Sequence, residues 1–292
     1  MGFNNNPQYN LPGTIDKNQN RNDRAYQNSS TWPTYQDDYN KFLEYLLNNQ
    51  ESKVLIRVYD GEFLFLLGEK KWNIPKRHVS VDLTQKFLQP FKDNVLKCDK
   101  FCSHLTVMPG GSMHNLYTRA FGNKKIDYPM EFNYAVVINK WIFKNFKNQI
   151  GIIGGTHKIK VIKELMKRKE YRDYLGIDYF TNYIEVPEKY GCDNPEKLEK
   201  SIKEQLSKSD PNTKIYLFGI GICKMVVANK FKDFYPATYI DIGGTMSGLA
   251  GFLSVTRPYA ANWMNYRLKN YNYSKVDPID MGNNEKNIKY LI

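Results

Sequence analysis

The chain has 292 residues, 41% of them hydrophobic, and its 22 Tyr, 16 Phe and 4 Trp supply large apolar side chains, so a sizeable core is within reach. That composition excludes collagenous, mucin-like and wholly disordered classes. Its 42 Lys and Arg against 30 Asp and Glu give a net charge of +12, which favours anionic partners without choosing among nucleotide, phosphosugar, nucleic acid or acidic glycan.

Residues 1–34 carry eight Asn and three Gln in the first thirty and show no apolar periodicity, so they are expected to be a disordered tail. From residue 35 to about 256 the pattern is that of one folded domain. A short helix around Phe42 and Leu46 leads into the strand Val54 to Tyr59, which Asp60-Gly61 ends. Helices are expected over Phe63 to Leu67 and Leu83 to Val95, a short strand over His104 to Met108, and one helix over Phe132 to Phe146.

Regular alternation then begins. Strand Ile150 to Ile153 meets Gly154-Gly155-Thr156 and a helix with Ile159, Ile162 and Leu165 on one face. Strand Tyr179 to Val186 precedes a helix opened by Asn194-Pro195. Strand Lys214 to Phe218 meets Gly219-Ile220-Gly221 and a helix running to Phe231, and strand Thr238 to Ile242 meets Gly243-Gly244. Strand, glycine turn and helix in series predict an α/β fold, a Rossmann-like and mostly parallel sheet with helices on both faces. In such a sheet ligands bind beyond the carboxyl ends of the strands, so Asp60, Gly154, Gly219 and Asp241 are expected to share one cleft. Residues 257–292 form an aromatic and basic extension, whose ordinary role is simple core packing and which could otherwise serve as a docked cap, an acceptor flap or a contact in a homo-oligomer.

No apolar run approaches the roughly 18 residues of a membrane span. The polar start offers no signal-peptide core, which points to the cytoplasm, that of the host for a viral source. Cys98, Cys102, Cys192 and Cys223 read as reduced, buried thiols rather than a zinc site.

The chemistry-bearing residues cluster at the strand ends. Asp60-Gly61-Glu62 puts two carboxylates on one turn. They suit Mg²⁺ or Mn²⁺ beside a substrate diphosphate, while the tripeptide by itself reads first as an ordinary Asp-Gly turn whose Glu caps the next helix. Gly154-Gly155-Thr156 offers backbone N–H groups to a phosphate, but neither the dinucleotide fingerprint nor the Walker pattern is present. Asp241-Ile242-Gly243-Gly244-Thr245 resembles a nucleoside-binding loop of the methyltransferase kind, yet it lies on the last strand rather than the first. His78, His104, His114 and His157 show no metal-binding spacing. His157, just after the Gly154 turn, and Asp241 are candidate bases.

The segment Arg57-Val58-Tyr59-Asp60-Gly61-Glu62 resembles the Arg-x-Gly-Asp-Gly-Glu motif of the GT-D-type glycosyltransferases. Four further segments follow in that family's order: Gly151 to Thr156, Ile184-Glu185-Val186-Pro187, Leu217-Phe218-Gly219 with Lys224, and Tyr239-Ile240-Asp241-Ile242-Gly243. The sequence departs from the pattern in having Tyr59 before Asp-Gly-Glu, Gly219-Ile220-Gly221 for Gly-Pro-Thr, and Gly244 where a His commonly stands.

The resemblance implies transfer of a sugar from a nucleotide donor, a UDP-sugar, to a glycan or glycoprotein acceptor, with Asp60 and Glu62 holding Mn²⁺ or Mg²⁺. It implies that Arg57, Gly154, Gly155, Thr156, Gly219, Lys224 and Asp241 line the nucleotide site. A methyltransferase and a non-enzymatic polyanion binder are the rival readings. Nucleic acid is not expected as a partner.

Overall fold

The computed structural model describes residues 35–48, 51–68, 84–187, 190–252, 263–273, 276 and 288–292. The Asn-rich segment 1–34, and with it the expectation of a disordered tail, lies outside the described residues, as does much of the extension expected at 257–292.

Helix α1 (Tyr35–Leu47) leads into β1 (Lys53–Val58), α2 (Asp60–Leu66), α3 (Thr84–Leu96), β2 (Lys100–Ser103), α4 (His114–Phe121) and β3 (Tyr128–Pro129). Next come α5 (Glu131–Ile138), α6 (Trp141–Asn145), β4 (Ile150–Gly155), α7 (Thr156–Met166), α8 (Lys169–Leu175), β5 (Asn182–Val186) and α9 (Pro195–Leu206). The chain continues through β6 (Ile215–Gly219), α10 (Lys224–Val227), α11 (Phe231–Phe234), β7 (Thr238–Asp241) and α12 (Thr245–Leu249) to the strands β8 (Asn265–Leu268) and β9 (Ile288–Leu291). β1 to β7 form one sheet in the order β3-β2-β1-β7-β6-β4-β5, and β8 and β9 pair separately. Every pairing in the large sheet is parallel, as the strand–glycine–helix series predicts.

Side chains alternate between two cores. Val54, Ile56 and Val58 pack with Phe63, Phe91 and Phe121 on one face, while Leu55 packs with Phe42, Phe132 and Ile159 on the other. β6 divides likewise, with Tyr216 and Phe218 on the first face and Ile215 and Leu217 on the second. Such strands read as continuous apolar runs because both faces are covered, and each fully buried Val, Leu or Ile contributes about 1.5–3 kcal/mol. Asn194 Oδ1 accepts from the Lys197 N–H at 2.9 Å, so α9 begins at Pro195 with the cap its sequence announces.

Four expectations are corrected. β2 lies at Lys100–Ser103, before rather than across His104, and residues 105–107 form a short 3₁₀ turn. The helix expected over Phe132 to Phe146 is two, α5 and α6, broken where Lys140 adopts φ +59°. β5 starts at Asn182, three residues later than expected. After β6, short turns replace the single helix expected to reach Phe231.

Candidate active site at the strand tips

The register brings the expected residues to one edge. Leu55 pairs with Ile240, Phe218 with Asp241, and Gly154 with Gly219, so the tips of β1, β7, β6 and β4 stand side by side. Asp60, Asp241, Gly219 and Gly154 all occupy that edge.

At its centre is an ammonium group. Lys224 Nζ lies 2.8 Å from Glu62 Oε1 and 2.8 Å from Asp241 Oδ2, and it donates to the Arg57 carbonyl as well. Those three bonds use all three donors of the lysine, which is 1% exposed, so none is left for a nucleotide. Asp241, also 1% exposed, accepts at Oδ2 from the Arg57 N–H (3.2 Å) and at Oδ1 from the Gly243 N–H (2.9 Å). Arg57 Nε stands 3.9 Å from Asp241 Oδ1, and the Tyr134 ring lies 5.7 Å from the guanidinium.

Two acids thus face two bases in a cluster whose charges cancel. Burial pushes the Glu62 carboxyl up, but the neighbouring Lys224 and Arg57 charges outweigh burial and hold it below the ordinary carboxylate value. As a base for an incoming hydroxyl Asp241 is poorly placed, because both of its oxygens are committed inside the protein.

Gly243 makes this packing feasible. Its φ is +46°, and a Cβ there would lie 2.5 Å from Arg57 Nη2. The loop that resembles a nucleoside site is therefore filled by the protein's own guanidinium. Around the same strand end the buried atoms Arg57 Nε, Asn133 Oδ1 and Thr245 Oγ1 have no hydrogen-bond partner among the described residues. Buried polar groups are normally satisfied by the protein or by ordered water, so these three atoms are exceptions to that rule.

The two carboxylates of the Asp-Gly-Glu turn behave differently. Glu62 is 5% exposed and its second oxygen, Oε2, accepts from the Tyr59 N–H at 2.9 Å. This is the helix-capping role that the tripeptide alone favours. Asp60 is half-buried at the rim, with Oδ1 accepting from the Gly61 N–H at 2.8 Å. No group of three His, Cys, Asp or Glu side chains among the described residues is arranged to hold a metal ion. A two-carboxylate clamp does not fit this turn, since Lys224 stands against Glu62 where a cation would. A cation at this turn would therefore have Asp60 as its protein carboxylate, with substrate oxygens needed for the rest of its shell.

The glycine turns are close-packed. A Cβ on Gly219 would lie 2.6 Å from both the Gly243 carbonyl oxygen and Met246 Cβ. A Cβ on Gly154 would meet Ile159 Cδ1 at 3.1 Å and Met246 Cγ at 3.3 Å, and Gly155 is buried. Thr156 Oγ1 donates to the Val186 carbonyl at 3.3 Å, and His157 is half-buried in the first turn of α7.

Beside the Asp60 turn lies a constellation the sequence reading missed. The Val58–Ser103 pairing puts Tyr59 and His104 next to one another, with rings 5.0 Å apart. His104 Nε2 lies 2.8 Å from Glu131 Oε1, and Nδ1 lies 2.8 Å from Thr106 Oγ1, which is itself 3.1 Å from the Tyr59 hydroxyl. The signal was the position of β2. With His104 inside a strand its side chain has no particular address, whereas one residue past the strand end it joins the functional edge. A cleft of about 560 Å³, lined by Val107, His114, Tyr117, Lys124 and Asp127 among others, adjoins the 3₁₀ turn and contains none of the expected site residues.

All four cysteines are buried thiols outside any disulfide, and no helix among the described residues is long and apolar enough to cross a membrane. No family model matches the chain, and no curated relative does. A solved structure described as a new glycosyltransferase (DUF1792) from Streptococcus sanguinis aligns with a TM-score of 0.48 and 13% identity, covering 86% of this chain and 97% of that one.

Proposed function

We propose that the chain is a glycosyltransferase moving a sugar from a nucleoside-diphosphate donor, a UDP-sugar, to a hydroxyl of a glycan or glycoprotein. The observation that carries this reading is convergence. The segments from Arg57 to Asp241 that carry the sequence resemblance are far apart in the chain, yet their ends share one edge of a parallel sheet.

Transfer requires stabilisation of the charge that develops on the departing diphosphate. Mn²⁺ or Mg²⁺ held by Asp60 would supply that stabilisation as a Lewis acid. The chain's own part is to fix the Asp60 turn. Glu62 caps the helix behind it, and Lys224 ties that carboxylate to β7, so the turn is anchored through two strands. Gly154, Gly155, Thr156 and Gly219 present backbone to the nucleotide at the β4 and β6 tips. Arg57 acts as a buttress beneath the pocket.

Thermal denaturation with UDP, GDP or S-adenosylhomocysteine, each with and without Mn²⁺, tests the reading. Stabilisation by UDP that needs Mn²⁺ supports it. Stabilisation by S-adenosylhomocysteine alone supports a methyltransferase and overturns it.

A further inference from the structure

We propose that Tyr59, Thr106, His104 and Glu131 form a proton relay that activates the acceptor hydroxyl, with Tyr59 as the catalytic residue and the other three as positioning residues. The proposal rests on the glycosyltransferase reading and deepens it by naming the base that a direct displacement needs.

The direction of the relay follows from one backbone group. The Thr106 N–H can only donate, and it points at His104 Nδ1 at 3.1 Å, so Nδ1 is an acceptor and the ring proton sits on Nε2. Nε2–H then donates to Glu131, which is almost wholly buried. With Nδ1 accepting, the Thr106 hydroxyl donates to it and receives from the Tyr59 hydroxyl. Every donor in the row faces the same way, from the half-buried phenol inward to the carboxylate. A carboxylate orienting an imidazole that draws a proton from a hydroxyl is the general logic of an activated oxygen nucleophile.

The residues are held by the fold. Ser103 Oγ donates to the Val58 carbonyl at 2.8 Å, locking the tips of β1 and β2 together just before Tyr59 and His104 diverge. Tyr59 is also the residue by which the Asp60 turn departs from the family pattern. In its place a small residue would have no hydroxyl to reach Thr106.

In the reaction the acceptor O–H bond breaks and an oxygen–anomeric carbon bond forms. The bond from that carbon to the diphosphate breaks with its electron pair leaving on the diphosphate. The acceptor proton passes to the Tyr59 oxygen, the Tyr59 proton to Thr106 Oγ1, and the Thr106 proton to His104 Nδ1, whose bond from the Thr106 N–H is given up as the lone pair takes the proton. The resulting imidazolium is stabilised by Glu131 until it loses the proton to water.

The test measures UDP release by the full chain from UDP-glucose, UDP-galactose and UDP-N-acetylglucosamine with Mn²⁺ and a panel of p-nitrophenyl glycosides as acceptors. Tyr59→Phe, Thr106→Val and His104→Gln are each expected to lower kcat about 100-fold or more. Donor KM and the UDP-induced thermal shift should stay at wild-type values, which separates the relay from a merely structural role. Thr106→Ser keeps the hydroxyl and should restore most of the turnover lost in Thr106→Val. The double variant of Tyr59→Phe and His104→Gln should be no slower than either single one, because groups acting as one unit are not additive. Unchanged kcat in Tyr59→Phe or His104→Gln, with the wild-type chain active, overturns the relay and leaves the glycosyltransferase reading standing. A wild-type chain that neither binds UDP nor releases it from any donor overturns both.

Discussion

The two halves of the functional edge solve the same problem by different means. At the β1 and β7 tips, Glu62, Asp241 and Lys224 are buried beside the half-buried Arg57, and the four charges neutralise one another. At the β4 and β6 tips, glycines bring backbone against Met246 and the Gly243 carbonyl, with no charge involved. The charged half fixes position through ion pairs whose loss is costly, and the glycine half fixes it through contact distance. A sheet edge can therefore be held rigid by ion pairs on one side and by close backbone packing on the other.

Removing the central charge is the severest way to break that contrast. Lys224→Met should leave two carboxylates with Arg57 alone to balance them, one buried negative charge in excess, and lower stability by about 3–5 kcal/mol, read as a fall in the urea midpoint. If the cluster were only loosely coupled, the midpoint would barely move. At the rim the outcome should invert. Asp60→Ala is expected to keep the wild-type urea midpoint within about 0.5 kcal/mol and to lower turnover about 10³-fold.

On the glycine half, Gly219→Ala should cost about 1–3 kcal/mol, because the new methyl meets backbone oxygen and Met246 Cβ at 2.6 Å. Met246→Ala in the same background should recover little, since the Gly243 oxygen cannot move away. Acid is a gentler probe of the charged half. The folded carboxyl of Glu62 is held below its ordinary 4.5, so its ion-pair stabilisation is complete above that value and drains away as pH falls through the lower folded value. Stability should thus decline on the acid side of pH 4.5, and Glu62→Gln should flatten that decline in a urea titration series. The smallest effect is expected at His157, where replacement by Ala should leave UDP release at the wild-type rate. A large loss there would shift the base from the β2 tip to α7.

Much of this architecture was legible in the sequence, because both-face burial writes the central strands as apolar runs, and a glycine or Asn-Pro marks the starts of α7, α9 and α12. The boundaries that failed did so for local reasons. Lys140 enters the left-handed region within an apolar stretch whose period gives no warning, and β2 is only four residues long, with half-polar flanks that let its reading slide toward His104. For the site, the sequence identified which residues reach the edge but not how they pair. That Glu62 belongs to Lys224 follows from β1 lying next to β7 and β7 next to β6, a neighbourhood no linear spacing encodes. His104 and Tyr59 are likewise adjacent only through strand register.

The bond between Ser103 and the Val58 carbonyl has an evolutionary corollary. Because paired strands fix the spacing between Tyr59 and His104, a change in the helices that join β1 to β2 reaches that spacing only by disturbing the strands themselves.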